Sequence, residues 1–164
     1  MVEGCYQVAM SLDSVRAFLA KMAPDLAIIE LTSSTATVEQ AAAGHGVAPA
    51  QIAKTLSFRV RDRDLLLVTS GTARLDNKKA KAVFGGKPRM LGAEEVAAIT
   101  GHPVGGVCPF GLATPLPVYC DVSLKAFDEV VPAAGSIHSA VRINPLRMAE
   151  IVGAQWVDVC DLRA

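Results

Sequence analysis

Aromatic residues are scarce, at 5 % of 164 positions with a single Trp, so the core must be aliphatic, built from Val, Ala, Leu and Ile. Net charge is also missing, because 16 bases balance 16 acids. That excludes a uniformly basic surface for nucleic acid and leaves room only for a local one. No GxSxG elbow occurs, which argues against an α/β-hydrolase. Neither a GxxxxGK[ST] loop nor a GxGxxG fingerprint is present, so the familiar nucleotide sites are absent. The cysteines, at 5, 108, 120 and 160, form no CxxC pair, and no charged-then-apolar leader opens the chain. Reduced thiols in a cytoplasmic protein are therefore expected. His45, His102 and His138 show no ligand spacing with the cysteines, and no metal or cofactor is expected. The charge-free stretch from Val96 to Cys120 is long enough for a membrane span, but its glycines and prolines between Gly101 and Pro117 exclude an apolar spanning helix.

What is present is a chain of about one domain's length. Hydrophobic residues at 51 % and charged residues at 20 % exclude wholesale disorder. Ser11 or Asp13 can cap a helix that ends before Pro24, followed by a short strand over 27–31 and a helix over 35–43. After a helical turn over 48–54, Leu56, Phe58 and Val60 alternate with Ser57, Arg59 and Arg61 as in a half-buried strand. Asp62-Arg63-Asp64 then turns the chain into a second apolar strand. Helices are expected over 76–84 and 93–100, strands over 88–91, 118–120, 129–131 and 140–143. Asn144 caps a last helix with Pro145 at its first position, and a strand over 156–160 closes the chain. Strands outnumber helices without strict alternation, so a mixed α/β fold is expected, a mixed sheet or partly closed barrel surrounded by helices.

Charge is distributed in blocks. Residues 1–73 carry a net −1, residues 90–164 a net −4, and residues 74–89 a net +5. The basic block holds Arg74, Lys78, Lys79, Lys81, Lys87 and Arg89. A solvated helix face is the bland reading. The sharper one is a phosphate-contacting patch, since only a local cluster can supply counterion release in a neutral protein.

Three other features could carry chemistry. Lys54 stands at the mouth of an apolar strand, either snorkelling to solvent or offering a positive charge to a phosphate or carboxylate. Gly105-Gly106-Val107-Cys108-Pro109-Phe110-Gly111 is either a structural turn or a loop whose bare backbone approaches a ligand and polarises a carbonyl. Ala133-Ala134-Gly135-Ser136-Ile137-His138-Ser139 offers a hydroxyl, an imidazole and a close backbone. Cys108 with His102 or His138 would make a nucleophile and base; a buried inert thiol is the commoner state.

With Ile52-Ala53-Lys54-Thr55-Leu56 and Arg74-Leu75-Asp76-Asn77-Lys78-Lys79, these motifs in this order resemble the YbaK/prolyl-tRNA editing family. The resemblance runs from about Thr35 to the C-terminus, and residues 1–34 resemble the variable N-terminal helix and strand of stand-alone members. It implies a single editing domain over 1–164 with a curved six- or seven-stranded mixed sheet. It also implies a trans-acting hydrolase that cleaves the ester of a mischarged tRNA, chiefly proline tRNA carrying Ala, Cys, Ser or Thr. By the same resemblance Lys54, Gly106, Gly135 and Ser136 serve catalysis, while Gly105, Val107, Cys108, Phe110 and His138 contact the substrate. Arg74, Lys78, Lys79, Lys81 and Lys87 then meet phosphates of the acceptor stem. The expected partners are the aminoacyl-tRNA acceptor end and, as a further candidate, a tRNA synthetase. The alternative is a non-catalytic tRNA-binding module on the same fold.

The absence of a triad fits such a reaction. An aminoacyl ester is already activated by the vicinal ribose hydroxyl, so hydrolysis needs a positioned water and a stabilised oxyanion rather than a strong nucleophile. The pocket must be small, because one methylene separates amino acids by only about 1–3 kcal/mol.

Overall fold

The computed structural model describes residues 2–161, with side chains from Ser11 onward; Cys5, expected as a free thiol, lies outside the described side chains. Helix α1 spans Val2–Met22. It starts well before the expected cap, so Ser11 lies inside the helix, and its buried hydroxyl is used for a tertiary contact instead of a cap. Val15, Leu19 and Ala23 recur every four residues along one stripe, and each is buried. Strand β1 (Ile29–Glu30) follows, then α2 (Val38–His45). Thr37 caps α2 in a capping box with Gln40, which satisfies two amides that the helix start would otherwise leave unpaired.

A 3-10 turn at Pro49–Gln51 leads into the two long strands, β2 (Ile52–Val60) and β3 (Arg63–Ser70). The hairpin turn falls at Arg61-Asp62 rather than at 62–64, because Arg63 and Asp64 already pair with Val60 and Arg59. Next come β4 (Arg74–Leu75), α3 (Asn77–Phe84) with Asp76 as its cap, β5 (Arg89–Met90) and α4 (Ala93–Thr100). The Gly/Pro-rich loop leads to β6 (Val118–Asp121), a 3-10 turn at Val122–Ala126, β7 (Val131–Pro132) and β8 (Ser139–Ala140). Helix α5 (Pro145–Val152) is capped by Asn144 with Pro at its start, as expected, and β9 (Gln155–Val157) and β10 (Cys160–Asp161) finish the described chain. The strand expected over 156–160 is thus two strands in two different sheets.

The central sheet has six strands, in the order β5-β2-β3-β6-β9 with β7 also on β2. It is mixed: β2 pairs antiparallel with β3 and β5 and parallel with β7, while β6 lies parallel to β3 and β9. Two small ribbons, β1-β8 and β4-β10, stand beside it. Strand β3 is buried on both faces, with Leu66 and Val68 in the core under α1 and α5, and Leu65 and Leu67 in the core under α3.

A buried polar link joins α1 to the loop after α4. The Ser11 hydroxyl donates to His102 Nδ1, and His102 Nε2 donates to the Phe110 carbonyl at 2.7 Å. A carbonyl can only accept, so Nε2 carries a proton; burial favours the neutral ring, in which Nδ1 accepts from Ser11. Burial pushes the His102 pKa below the ordinary 6.5, and His45 is lowered by the same cause with the Arg142 charge adding to it. Below an ordinary imidazole pKa of about 6.5 the unfolded chain therefore binds protons that the folded chain refuses. Stability is complete above that pH and declines as pH falls below it. Urea unfolding should show a lower midpoint at about pH 5.5 than at about pH 7.5, and equal midpoints would remove both histidines from the linkage.

Candidate active site

Strand β2 carries two partners on its outer edge, one at each end. β7 takes Ile52 and Ala53, and β5 takes Phe58 and Arg59. Residues 54–57 lie between them without a strand partner on that side, and a cavity of about 390 Å³ occupies the gap. All six residues from Ile52 to Ser57 line it. Side chains alternate between the faces of a strand, so only an approach to the strand edge can touch every one. The rest of the wall comes from Thr35 to Val38 and α2, from β5 and α4, from Val104, Gly105 and Val107, and from β7 and β8. Alanine and valine dominate, a composition suited to a small ligand.

The same edge offers backbone groups. Leu91 N donates to the Ser57 carbonyl, and Leu66 N, opposite Ser57 in the hairpin, donates to Pro117 O. Ser57 therefore turns its peptide groups away from β3, and so does Thr55 two residues earlier. Thr55 presents its N–H and C=O to the gap. Its side-chain Oγ1 is buried with no hydrogen-bond partner, and so is Nε2 of His45 in the cavity wall. An unpaired buried polar atom costs about 1–3 kcal/mol, a cost a polar ligand in this cavity would relieve.

Lys54 is the one lining side chain with a formal charge. Its Nζ donates to the Ala73 carbonyl at 2.8 Å. Burial lowers its pKa; the neighbouring Cys160 and, more weakly, Glu39 oppose this, while the Arg74 charge adds to it. The ammonium is thus held by one carbonyl, with donors left over for an anion.

The glycine loop is divided between wall and support. Gly105 and Val107 reach the cavity, whereas Gly106 stands behind it. Gly106 N donates to Pro103 O, so this amide, expected as a donor to substrate, is already used. Its carbonyl accepts from Gly135 N at 3.0 Å. A Cβ on Gly106 would lie 2.7 Å from Ser136 N, so only glycine permits this close passage of the two loops. Gly135, with φ +96°, packs in turn on the Ser11 carbonyl of α1. The Ser136 hydroxyl shares a 2.7 Å hydrogen bond with Ser139, and Ser136 accepts from His138 N. His138 is fastened by Nδ1 to the Ser33 carbonyl at 3.0 Å. Gly135, Ser136 and His138 hold the wall from outside the cavity; Ser139 of the same segment lines it.

Cys108 and Phe110, expected at the substrate, are both fully buried in the main core. Cys108 Sγ lies 3.6 Å from His102 Nε2, a distance that suggests a nucleophile and base. The chemistry is reversed: Nε2 carries its proton toward Phe110 O, so it cannot accept one. Burial pushes the thiol up to about 12, and both residues are sealed from solvent. Cys108 is an inert core thiol.

The basic block is scattered by the fold. Lys79 is held by Asp158 at 3.1 Å and by the Cys160 carbonyl, so its charge is engaged. Lys78 and Lys81 are exposed on α3. Arg74 lies on β4, within electrostatic reach of Lys54. Lys87 stands apart, beside Arg89 and two arginines of the β2–β3 hairpin.

Residues 32–151 match the aminoacyl-tRNA editing domain family, which accounts for most of the chain. The chain belongs to that family. The activity class follows: hydrolysis of the ester that joins an amino acid to tRNA. The editing domain is 48 % identical over 153 residues to the uncharacterized protein YwhH of Bacillus subtilis, covering 92 % of this chain and 98 % of that one. It is 26 % identical over 125 residues to EbsC of Enterococcus faecalis, named as a candidate Cys-tRNA(Pro)/Cys-tRNA(Cys) deacylase, covering 75 % and 76 %. A solved structure described as a candidate trans-editing enzyme for prolyl tRNA synthetase superposes with a TM-score of 0.85 at 36 % identity, covering 92 % and 97 %. The mixed α/β fold expected from the sequence, with the six- or seven-stranded sheet that the resemblance implied, is the one observed: the central sheet has six strands, and the fold is that of this solved structure. No helix among the described residues is long and apolar enough to cross a membrane.

Two substitutions test how the editing domain builds its wall. Gly106→Ala should destabilise the fold by about 1–3 kcal/mol, since the obstructing atoms are backbone and cannot rotate away. A melting temperature equal to that of the wild type would show that the loops can separate freely. Thr55→Val removes an unpartnered hydroxyl at nearly constant volume, so stability should hold or rise by up to about 1 kcal/mol in the same thermal assay.

Proposed function

We propose that this editing domain acts in trans on proline tRNA mischarged with a small amino acid, Ala, Cys, Ser or Thr, and releases it with water as the nucleophile. The observation that carries the reading is the cavity at the open edge of β2, walled by small apolar side chains around one cation, Lys54. Water forms the new bond to the acyl carbon, the bond to the ribose oxygen breaks, and that oxygen takes the proton. The products are the free amino acid and a tRNA with its terminal hydroxyl restored.

Lys54 holds the terminal phosphate or adenosine so that the ester lies against the strand edge. The outward N–H of Thr55 is the donor best placed by backbone parity to meet the developing oxyanion. Gly105 and Val107 close the acyl side, and Gly106 with Gly135 and Ser136 fixes how near that wall stands. Discrimination against a larger acyl group rests on this rigidity, because a buried wall braced by backbone contacts cannot retreat.

The test is a panel of proline tRNAs charged with Ala, Cys, Ser, Thr and Pro, followed by single-turnover deacylation. Acceleration should be found with at least one small non-cognate amino acid and not with Pro. Lys54→Ala should slow it by one to several orders of magnitude while the protein stays folded. Removing a charge-assisted hydrogen bond alone costs about 1.5–3 kcal/mol, roughly a factor of 10 to 150. Wild-type rates for Lys54→Ala on every substrate would remove the lysine from the mechanism.

A further inference from the structure

A second cavity, of about 350 Å³, is lined by Arg59, Arg61, Lys87, Pro88 and Arg89. Four of its five wall residues are cations drawn from two segments that lie far apart in sequence. Arg59 and Arg89 are direct partners across the β2–β5 pairing. Two acids are at hand, and both engage Arg59: Asp64 at 2.7 Å and Glu95 at 2.9 Å. Arg61 donates through Nε to the Gly85 carbonyl at 2.9 Å, which leaves its terminal nitrogens uncommitted. Lys87 and Arg89 are exposed on the surface. Arg61 has φ +58°, the only positive φ at a non-glycine among the described residues. A long cationic side chain at a hairpin position that favours glycine is a choice that the turn does not require.

The position of this cleft relative to the first cavity gives it meaning. Phe58 and Met90 form the single residue pair between Arg59–Arg89 and the open edge of β2, and Met90 and Leu91 line the first cavity. Four residues of strand, about 13 Å, separate Arg59 from Thr55. That is on the order of four stacked nucleotide steps of 3.4 Å. A strand whose last residue lies in the first cavity would carry its upstream phosphates past the second.

We infer that the Arg61–Lys87–Arg89 cleft is the phosphate-binding site for the RNA strand that leads to the ester, and that it does this in place of the exposed lysines of α3. The inference rests on the reading of the first cavity as the acyl site. It changes the residues that should matter for affinity: Arg61 and Arg89, with Lys87, rather than Lys78, Lys79 and Lys81. Lys79 is occupied by Asp158, and the cavity that both line also holds Asp121, so Lys79 offers no uncommitted charge to a phosphate chain.

The experiment measures binding of the full chain to an uncharged RNA hairpin with a single-stranded 3′ tail, as a function of salt. Lys87→Glu/Arg89→Glu should weaken binding at least tenfold and flatten the salt slope by about 1–2 units, near 0.7 for each single-strand phosphate no longer neutralised. Lys78→Glu/Lys81→Glu, an equal charge change on α3, should have a markedly smaller effect. Lys87→Gln/Arg89→Gln, which perturbs folding less, should give the same ordering, and thermal melts confirm that each variant is folded. An unchanged slope for the cleft variants, or an equal loss for the α3 variants, overturns the assignment. Because the probe is uncharged, loss of binding without any deacylation of mischarged tRNA would sustain the cleft while defeating the acyl-site reading. Normal deacylation with an unaltered salt slope would do the reverse.

Discussion

Everything at the site depends on an incomplete strand pairing. β2 is paired with β3 along its inner edge from Ala53 to Val60, but its outer edge is shared by two short strands that leave residues 54–57 between them. Unpaired peptide groups on a sheet edge are normally covered or blunted. Here they form the floor of a cavity, so the backbone itself becomes part of the ligand-binding surface. The arrangement places Lys54 and Thr55 where both faces of the sheet meet its edge. It also explains how the cavity comes to offer polar groups with almost no titratable side chains in its lining.

The opposing wall is held by contacts that leave no room for adjustment. Gly106 passes against the Ser136 backbone and Gly135 against the Ser11 carbonyl, each closer than a Cβ would allow. The residues closest to the reaction in the family resemblance are therefore of two kinds. Lys54, Gly105 and Val107 touch the cavity, while Gly106, Gly135, Ser136 and His138 determine where its wall stands. A position can set the shape of a cavity without lining it.

Much of the architecture was legible in the sequence. α4 and α5 with their caps, the β2–β3 hairpin and the mixed α/β class follow from apolar periodicity and from Asn144-Pro145 and the terminating glycines. The shortest strands are less so: β4 has no signal of its own, and β9 and β10 read as one strand, because a strand of two or three residues is set by its partner rather than by its own pattern. Lys54 and the loop glycines were visible as motifs. Cys108 and Phe110, expected at the substrate, lie in the core, because a loop sequence does not say which side chains turn inward. His45 and Thr55, whose polar atoms lack partners, had no sequence signal, since an unsatisfied group exists only in three dimensions. The basic run 74–89 was visible as charge, but helix α3 and its neighbours send its members to different sides.

Helix α1 lies outside the segment that matches the family, yet it reaches the wall at three points. Ser11 holds His102, the Ser11 carbonyl receives Gly135, and the Ser14 hydroxyl donates to the Gly111 carbonyl at 3.1 Å. The glycine loop beside the cavity is thus clamped from behind by a helix outside the segment that the family model matches. The practical unit of this enzyme is larger than its family signature: a fragment cut at residue 32 would keep every motif and lose the brace that keeps the glycine loops in place. Divergence in such a helix can retune a pocket wall without altering any residue that lines it.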